Sequence, residues 1–194
     1  MLQMEQKRTI FMGIDVPRGT LNLYEALLQK WNPKINLVAA STLNNIWETH
    51  FQDALELAPY LDGEDEIVDL GSGNGIPGMV LAICGFPKVN LIECDLRKVI
   101  FLREVKRITK VEVSIRHGLI EDYDGPPADA IISRGFSSVG NILKLGEAFR
   151  KESGQYLCLK GKSFEEELSQ IDTEKFEYRA YPLSKGVLLQ IKKK

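Results

Sequence analysis

The stretch Ile67-Val-Asp-Leu-Gly-Ser-Gly-Asn-Gly-Ile-Pro-Gly78 limits what this chain can fold into more than any other. Its apolar start predicts a buried strand. The alternate glycines Gly71, Gly73 and Gly75 predict a sharp turn whose bare backbone a ligand can approach closely. Pro77 then suits a first helical turn, where its missing N–H costs nothing. A strand end, a tight turn and a helix start in succession mark the place where open α/β sheets bind ligands.

Beyond residue 66, short apolar runs alternate with amphipathic segments, the pattern of a mostly parallel sheet covered on both faces. Strands are expected at Glu66–Leu70, Val89–Cys94, Val111–Arg116, Asp129–Ser133, Gln155–Lys160, Glu177–Tyr181 and Val187–Lys192, seven in all. Helices are expected at Pro77–Gly85, Arg97–Thr109, Ser138–Lys151 and Ser163–Ile171. Only Pro182 to Gly186 separates the last two strands, too little for a crossover helix, so they should pair antiparallel. The first third reads as helical. Leu21, Tyr24, Leu27, Leu28 and Trp31 share one helical face, and Asn32-Pro33 should stop that helix. A second pattern, Ile46, Phe51, Ala54, Leu55 and Ala58, runs to Pro59. The polar segment Asp62 to Glu66 is the expected boundary between a helical N-terminal extension, residues 1–62, and the main domain, residues 63–194.

Charge and cysteine content narrow the function classes. A length of 194 residues suffices for one full core plus an appendage. A net charge of -2 argues against a general nucleic-acid coat protein, because non-specific phosphate binding runs on excess positive charge. Any nucleic-acid site must then be a local patch. Cys84, Cys94 and Cys158 are widely spaced, and with only His50 and His117 they make no zinc pattern; reduced thiols and no metal are expected. Lys7 and Arg8 precede Ile10, Phe11 and Met12 in the manner of an export signal, but Asp15 and Arg18 interrupt the run. The longest apolar stretch elsewhere, Met79 to Cys84, is far short of the ~20 residues of a membrane span. A cytoplasmic address is expected.

Spacing decides which ligand the glycine turn suits. A dinucleotide fingerprint needs a glycine at the sixth place from Gly71, where this chain has Ile76. The order Asp69-x-Gly71-x-Gly73-x-Gly75 resembles instead the first motif of class I, S-adenosylmethionine-dependent methyltransferases. Glu93 follows the next strand, 93 - 73 = 20 residues past the central glycine, where a carboxylate can accept hydrogen bonds from both ribose hydroxyls. After the third strand, His117-Gly-Leu-Ile-Glu-Asp122 lies on the same sheet edge. In the folds this loop resembles, such a segment holds the adenine, which nominates Ile120 and Glu121.

A narrower resemblance runs through the chain in order. Tyr24-Glu-Ala-Leu-Leu28, Trp31-Asn-Pro-Lys-Ile-Asn-Leu37, His50-Phe-Gln-Asp53, Ala58-Pro-Tyr-Leu61, the Gly71 loop with Ile76-Pro-Gly78, Arg97-Lys-Val-Ile-Phe-Leu102, Ile132-Ser-Arg-Gly-Phe136 and Leu159-Lys-Gly161 look like the bacterial small-subunit (16S) ribosomal RNA guanine-N7 methyltransferases, the glucose-inhibited division protein B family. That resemblance implies a Rossmann-like class I methyltransferase acting on ribosomal RNA or the small ribosomal subunit. It implies that Asp69, Gly71, Gly73, Gly75 and Ile76 form the cofactor loop, that Glu93, Cys94 and Asp95 form the ribose edge, and that Ile120 and Glu121 lie at the adenine. Arg134 would sit in the reaction pocket. The chain departs from the family pattern at Leu119, where arginine is usual, at Ala54 (serine), at Thr49 (a basic residue) and at Gly135 (alanine).

The chemistry expected is undemanding of proton transfer. Guanine N7 carries an in-plane lone pair and no proton, so positioning rather than a general base is required. Arg134, just past a strand end, can orient the cofactor or the guanine, whose O6 and N7 suit a guanidinium fork. Arg103, Lys106, Arg107 and Lys110 recur at helical spacing and form the candidate RNA-binding stripe; Lys160 and Lys162 are further candidates. Other readings of the residues stay open: a methyltransferase of another substrate class, a non-catalytic RNA- or protein-binding paralogue, and a nicotinamide-dependent oxidoreductase, the last disfavoured by Ile76.

Overall fold

A computed structural model of the chain describes residues 8–11, 13–161, 164–183 and 185–194. It opens with an antiparallel hairpin, β1 (Arg8–Phe11) and β2 (Ile14–Pro17), in the region where the sequence suggested only an interrupted apolar run. Helix α1 (Arg18–Ile35) follows and buries Leu21, Tyr24, Leu27 and Leu28, the face the periodicity predicts. It does not stop at Asn32-Pro33. A proline in the last turn removes a single N–H, and the end is made three residues later, where Asn36 takes a left-handed conformation (φ 47°) and donates its N–H to the Asn32 carbonyl. The Asn32 side-chain oxygen accepts from the backbone N–H groups of Leu37 (2.7 Å) and Val38 (2.8 Å), so this buried side chain folds the exit of the helix.

The expected second helix is broken into pieces. Trp47–Phe51 forms one wide turn in which the Gln52 N–H reaches back to the Trp47 carbonyl; α2 (Gln52–Leu55) and a tight turn at Ala58–Tyr60 complete the segment. The wide turn carries Thr49 and His50.

The main sheet then builds strand by strand: β3 (Ile67–Leu70), α3 (Gly78–Ile83), β4 (Val89–Glu93), α4 (Leu96–Thr109), β5 (Ser114–His117), β6 (Ala128–Arg134), α5 (Val139–Gly146), β7 (Arg150–Lys160), α6 (Phe164–Leu168), β8 (Phe176–Pro182) and β9 (Val187–Lys193). Its order is β5-β4-β3-β6-β7-β9-β8. The first five of these neighbours run parallel, while β9 pairs antiparallel with both β7 and β8. The fold is therefore the Rossmann-like α/β sheet of seven strands expected from the sequence, with its antiparallel ending. Every residue of β3 and β4 is buried, as central strands covered on both faces require. Several boundaries moved: β5 spans Ser114–His117 where Val111–Arg116 was expected, and β7 begins at Arg150 rather than Gln155. Helix α5 ends at Gly146 rather than at residue 151: the Phe149 N–H turns back to the Gly146 carbonyl (3.2 Å), and the chain enters β7. Helix α6 spans only Phe164–Leu168; Lys162 and Ser163 lie outside the described residues.

Two apolar clusters cover the two faces. One joins α1, the wide turn and α2 to α3, α4 and the sheet, so that Tyr24, Phe51 and Phe101 pack in the same core as Leu91 and Ile132. Ring centroids lie 5.3 Å apart for Tyr24 and Phe51 and 5.8 Å for Trp31 and Phe101, pairs each worth about 0.5–1.5 kcal/mol beyond their area. The other cluster packs Val139, Ile142 and Leu143 of α5 onto Val68, Leu70 and Ile131. The chain reverses direction along the sheet between β5 and β6. The crevice between the ends of β3 and β6 is thus the topological switch point, where such sheets bind ligands.

Candidate active site

The loop after β3 turns on left-handed glycines, Gly71 at φ 63° and Gly73 at φ 57°. A Cβ at Gly73 would meet only the Gly71 carbonyl, at 3.7 Å, so the cradle is open above this residue. From β4, Glu93 reaches across: Oε2 accepts from the Gly73 N–H (2.7 Å) and Oε1 from the Asp95 N–H (2.8 Å). Each carboxylate oxygen keeps a second lone pair. Glu93 can therefore pin the loop and still accept hydroxyl hydrogens. The residues present fit an S-adenosylmethionine: an open glycine backbone, and one acid at the spacing of a ribose.

Not every residue assigned to this cradle by its sequence position faces it. Asp69 is 1 % exposed, and its Oδ2 accepts from the Gly78 N–H at 2.9 Å, so it holds the start of α3 rather than a ligand. Burial pushes its carboxyl up to about 7, against the pull of the Gly78 N–H; nearby Glu93 adds to the rise. Gly75 packs inward against the Tyr24 hydroxyl and Leu102, and Ile76 is buried in the core. Tyr24 donates its hydroxyl to the Asn74 carbonyl, and the Asn74 side-chain amide donates to the Leu37 carbonyl at 3.1 Å. The N-terminal extension thus clamps the loop from behind, a role sequence spacing did not reveal.

On the ribose side, Cys94 is exposed, while Asp95 caps α4 by accepting from the Arg97 N–H (2.8 Å) and also binds the Arg97 guanidinium. Those Arg97 bonds lower the Asp95 carboxyl to about 2. Ile120 is buried against Leu70 and Ile92, and the next residue, Glu121, is exposed.

A cleft of about 540 Å³ opens on the other side of the switch point. The wide turn and α2 supply Thr49, His50 and Asp53; the end of β6 supplies Arg134, Gly135 and Phe136. The Arg134 Nη2 donates to the Thr49 carbonyl (3.0 Å) and to His50 Nδ1 (2.6 Å) and lies 3.9 Å from Asp53 Oδ2. An arginine can only donate, so His50 Nδ1 is an acceptor and the ring proton sits on Nε2, facing Thr42 Oγ1 at 2.9 Å. Burial and the Arg134 charge, with a contribution from Lys185, lower the His50 imidazole to about 4. Burial raises the Asp53 carboxyl, opposed by Arg134. Glu167 is engaged too, accepting from Lys160 (2.8 Å) and the Val139 N–H (2.8 Å). In the sequence, only their place in the motif series points His50 and Asp53 toward the cleft.

The candidate RNA stripe is less unified than its spacing implied. Arg107 makes a two-pronged pair with Glu104 (2.8 and 2.9 Å), Lys106 donates to the Val113 carbonyl (2.9 Å), and Lys110 lies past the helix end in a left-handed conformation. Helix α4 starts beside Glu93 and runs 14 residues away from it, so Arg103 lies about 10 Å and Lys110 about 20 Å from the cradle edge. Lys34 and Lys98 lie closer, lining a second cleft of about 720 Å³ between the end of α1 and the start of α4. Among the described residues no helix is long and apolar enough to cross a membrane, and no group of three potential metal ligands occurs.

Sheet order, antiparallel ending, glycine cradle and acid on the neighbouring strand define an S-adenosylmethionine-dependent methyltransferase of the Rossmann-like class. Solved structures share the fold: a ribosomal protein L11 methylase from Lactobacillus delbrueckii subsp. bulgaricus (TM-score 0.63, 14% identity, 74% of this chain and 78% of that one) and a TehB-like S-adenosylmethionine-dependent methyltransferase from Corynebacterium glutamicum (TM-score 0.61, 17% identity, 90% and 100%). Within that class the chain belongs to the rRNA small subunit methyltransferase G family, whose model matches residues 18–189. Relatives named "Ribosomal RNA small subunit methyltransferase G" include those of Rhodospirillum centenum, 44% identical over 91% of this chain and 85% of the relative, and Orientia tsutsugamushi strain Ikeda, 40% identical over 88% and 87%.

Proposed function

We propose that this protein transfers a methyl group from S-adenosylmethionine to N7 of a guanine in small-subunit ribosomal RNA, as free RNA or in the small ribosomal subunit, in the cytoplasm. The observation that carries the reading is the adjacency at the switch point of an open glycine cradle and a cleft in which His50 and Asp53 face the Arg134 guanidinium and Glu167 is held by Lys160. A nucleophile that must lose a proton would need a base there. Guanine N7 does not.

The cofactor supplies an electrophilic methyl. Gly73 lets it approach the backbone, while Gly71, whose Cα face is covered by the Phe136 ring, makes the turn; Glu93 accepts its ribose hydroxyls, Cys94 and Asp95 flank the sugar, and Ile120 and Glu121 edge the adenine. Asp69, Gly75 and Ile76 act behind the cradle by holding its shape. Arg134 orients the guanine through O6 and leaves N7 alone, since an N–H donated to N7 would occupy the lone pair that must attack. Its bonds to Thr49 and His50 fix the guanidinium in advance. Residues 1–62 are the extension, whose Thr42, Thr49, His50 and Asp53 build one wall of the cleft, and residues 63–194 are the catalytic domain. Lys34 and Lys98 are the nearer phosphate contacts, Arg103, Lys106, Arg107 and Lys110 the outer ones.

The test is transfer of a labelled methyl group to small subunits from a strain lacking the protein, paired with calorimetric titration of S-adenosylmethionine. Label should appear in RNA, and Glu93→Ala should weaken cofactor binding by about 1–3 kcal/mol, because the Gly73 and Asp95 N–H groups lose their acceptor. Label in another acceptor would favour a different substrate class. Cofactor binding without any transfer would favour a non-catalytic paralogue.

A further inference from the structure

Phe136 separates the cradle from the cleft. A Cβ built on Gly71 would stand 2.1 Å from Phe136 Cδ2 and 2.7 Å from Cγ, so the ring lies directly against the bare Gly71 backbone. The same residue lines the 540 Å³ cleft and is 37% exposed, an unusual amount for a large aromatic beside a core. Between it and Arg134 stands Gly135, at φ 61°, where a Cβ would meet nothing within 4 Å. The open Gly135 backbone is thus flanked in the cleft by a guanidinium tied to the His50 wall and an aromatic ring backed by the glycine loop.

A purine taken out of an RNA stack loses its neighbours, and proteins that act on such bases replace them with aromatic faces. We propose that Phe136 is the stacking platform for the target guanine. The ring holds the base plane beside the cradle, while Arg134 reads its edge across Gly135. This inference rests on the cleft being the guanine site, and it adds a substrate-contacting residue to that site.

The test compares the wild type with Phe136→Leu, which keeps an apolar filler against Gly71 but removes the flat face, and with Phe136→Trp, which keeps one. Small subunits from a strain lacking the protein are the acceptor. Phe136→Leu should lower kcat/KM for the subunit about tenfold or more, the usual scale of one lost base stack, with S-adenosylmethionine affinity within about twofold of wild type. Phe136→Trp should retain transfer, and the emission it adds over the wild type should be quenched by a guanine-containing oligonucleotide of small-subunit sequence. Unchanged transfer in Phe136→Leu, or an equal loss of cofactor affinity, would overturn the proposal; the second result would make Phe136 a packing residue of the glycine loop. Absence of transfer by the wild type would instead overturn the guanine reading, and this inference with it.

Discussion

Asp69 and His50 carry opposite pH dependences into the same molecule. The Asp69 carboxyl, lifted from 3.8 to about 7 chiefly by burial, binds its proton more tightly in the folded chain. Its contribution is present at low pH and is lost as pH rises from about 4 through 7. The His50 imidazole, lowered from 6.5 to about 4, binds its proton less tightly when folded. Its contribution is present above pH 6.5 and is lost as pH falls towards 4. The two offset in the wild type. Asp69→Asn, which keeps an oxygen for the Gly78 N–H but cannot ionise, should remove the first dependence: its Tm relative to wild type should climb from pH 4 to 7 and then stay level to pH 8. Thermal melts across that range check it.

Arg134 also has a residue-level signature. Lysine keeps the charge but not the planar fork that serves Thr49, His50 and a ligand edge together. Arg134→Lys should lower the rate of methyl transfer at least tenfold while leaving cofactor affinity near wild type, read by the labelled-methyl assay beside titration. The arginine was legible in sequence as a charged residue just past a strand end. Its partners were not, since Thr49 and His50 lie 85 and 84 positions away along the chain.

At the scale of elements, legibility followed how local each signal is. Strands β3, β4, β6 and β7 announce themselves through short apolar runs and turn residues, whereas the apolar run Val111 to Val113 drew the expected β5 three residues ahead of the strand Ser114–His117. Helix α1 was visible too, but its end depends on the Asn32 side chain folding back onto Leu37 and Val38, which a proline rule overrode. The wide turn at Trp47–Phe51 has no composition signal, and its work is tertiary, carrying His50 to Arg134. Helix α4 shows the limit of periodicity: four basic residues at helical spacing share a face, yet spacing does not say which end of the helix meets the site. Lys98, in its first turn, lines the cleft beside the cradle, whereas Lys110 lies beyond the far end. Lys98→Glu should therefore weaken RNA binding more than Lys110→Glu and reduce the salt dependence of binding by about one ion. Filter binding across a salt series compares them.

Across the whole molecule, the N-terminal extension and the sheet form a single machine. The core that supports the cradle contains Leu21, Tyr24 and Leu28 from α1 beside Leu91 and Phe101, so the boundary read at Asp62 to Glu66 divides the sequence pattern without dividing the core. The crevice lies where the sheet's strand order reverses, with the cradle after β3 and the cleft after β6 meeting at Phe136 and Gly71. Fold class and glycine loop could be read from spacing, and the family from an ordered series of short motifs. The cleft could not, because its walls come from segments that meet only in three dimensions. N7-methylation leaves a cationic guanine whose glycosidic bond breaks after borohydride reduction, and aniline then cuts the strand at that point. Small-subunit RNA from a strain lacking the protein, treated in this way before and after incubation with the pure protein and S-adenosylmethionine, should gain one new cut at a guanine. Labelled RNA that acquires no such cut would contradict the account.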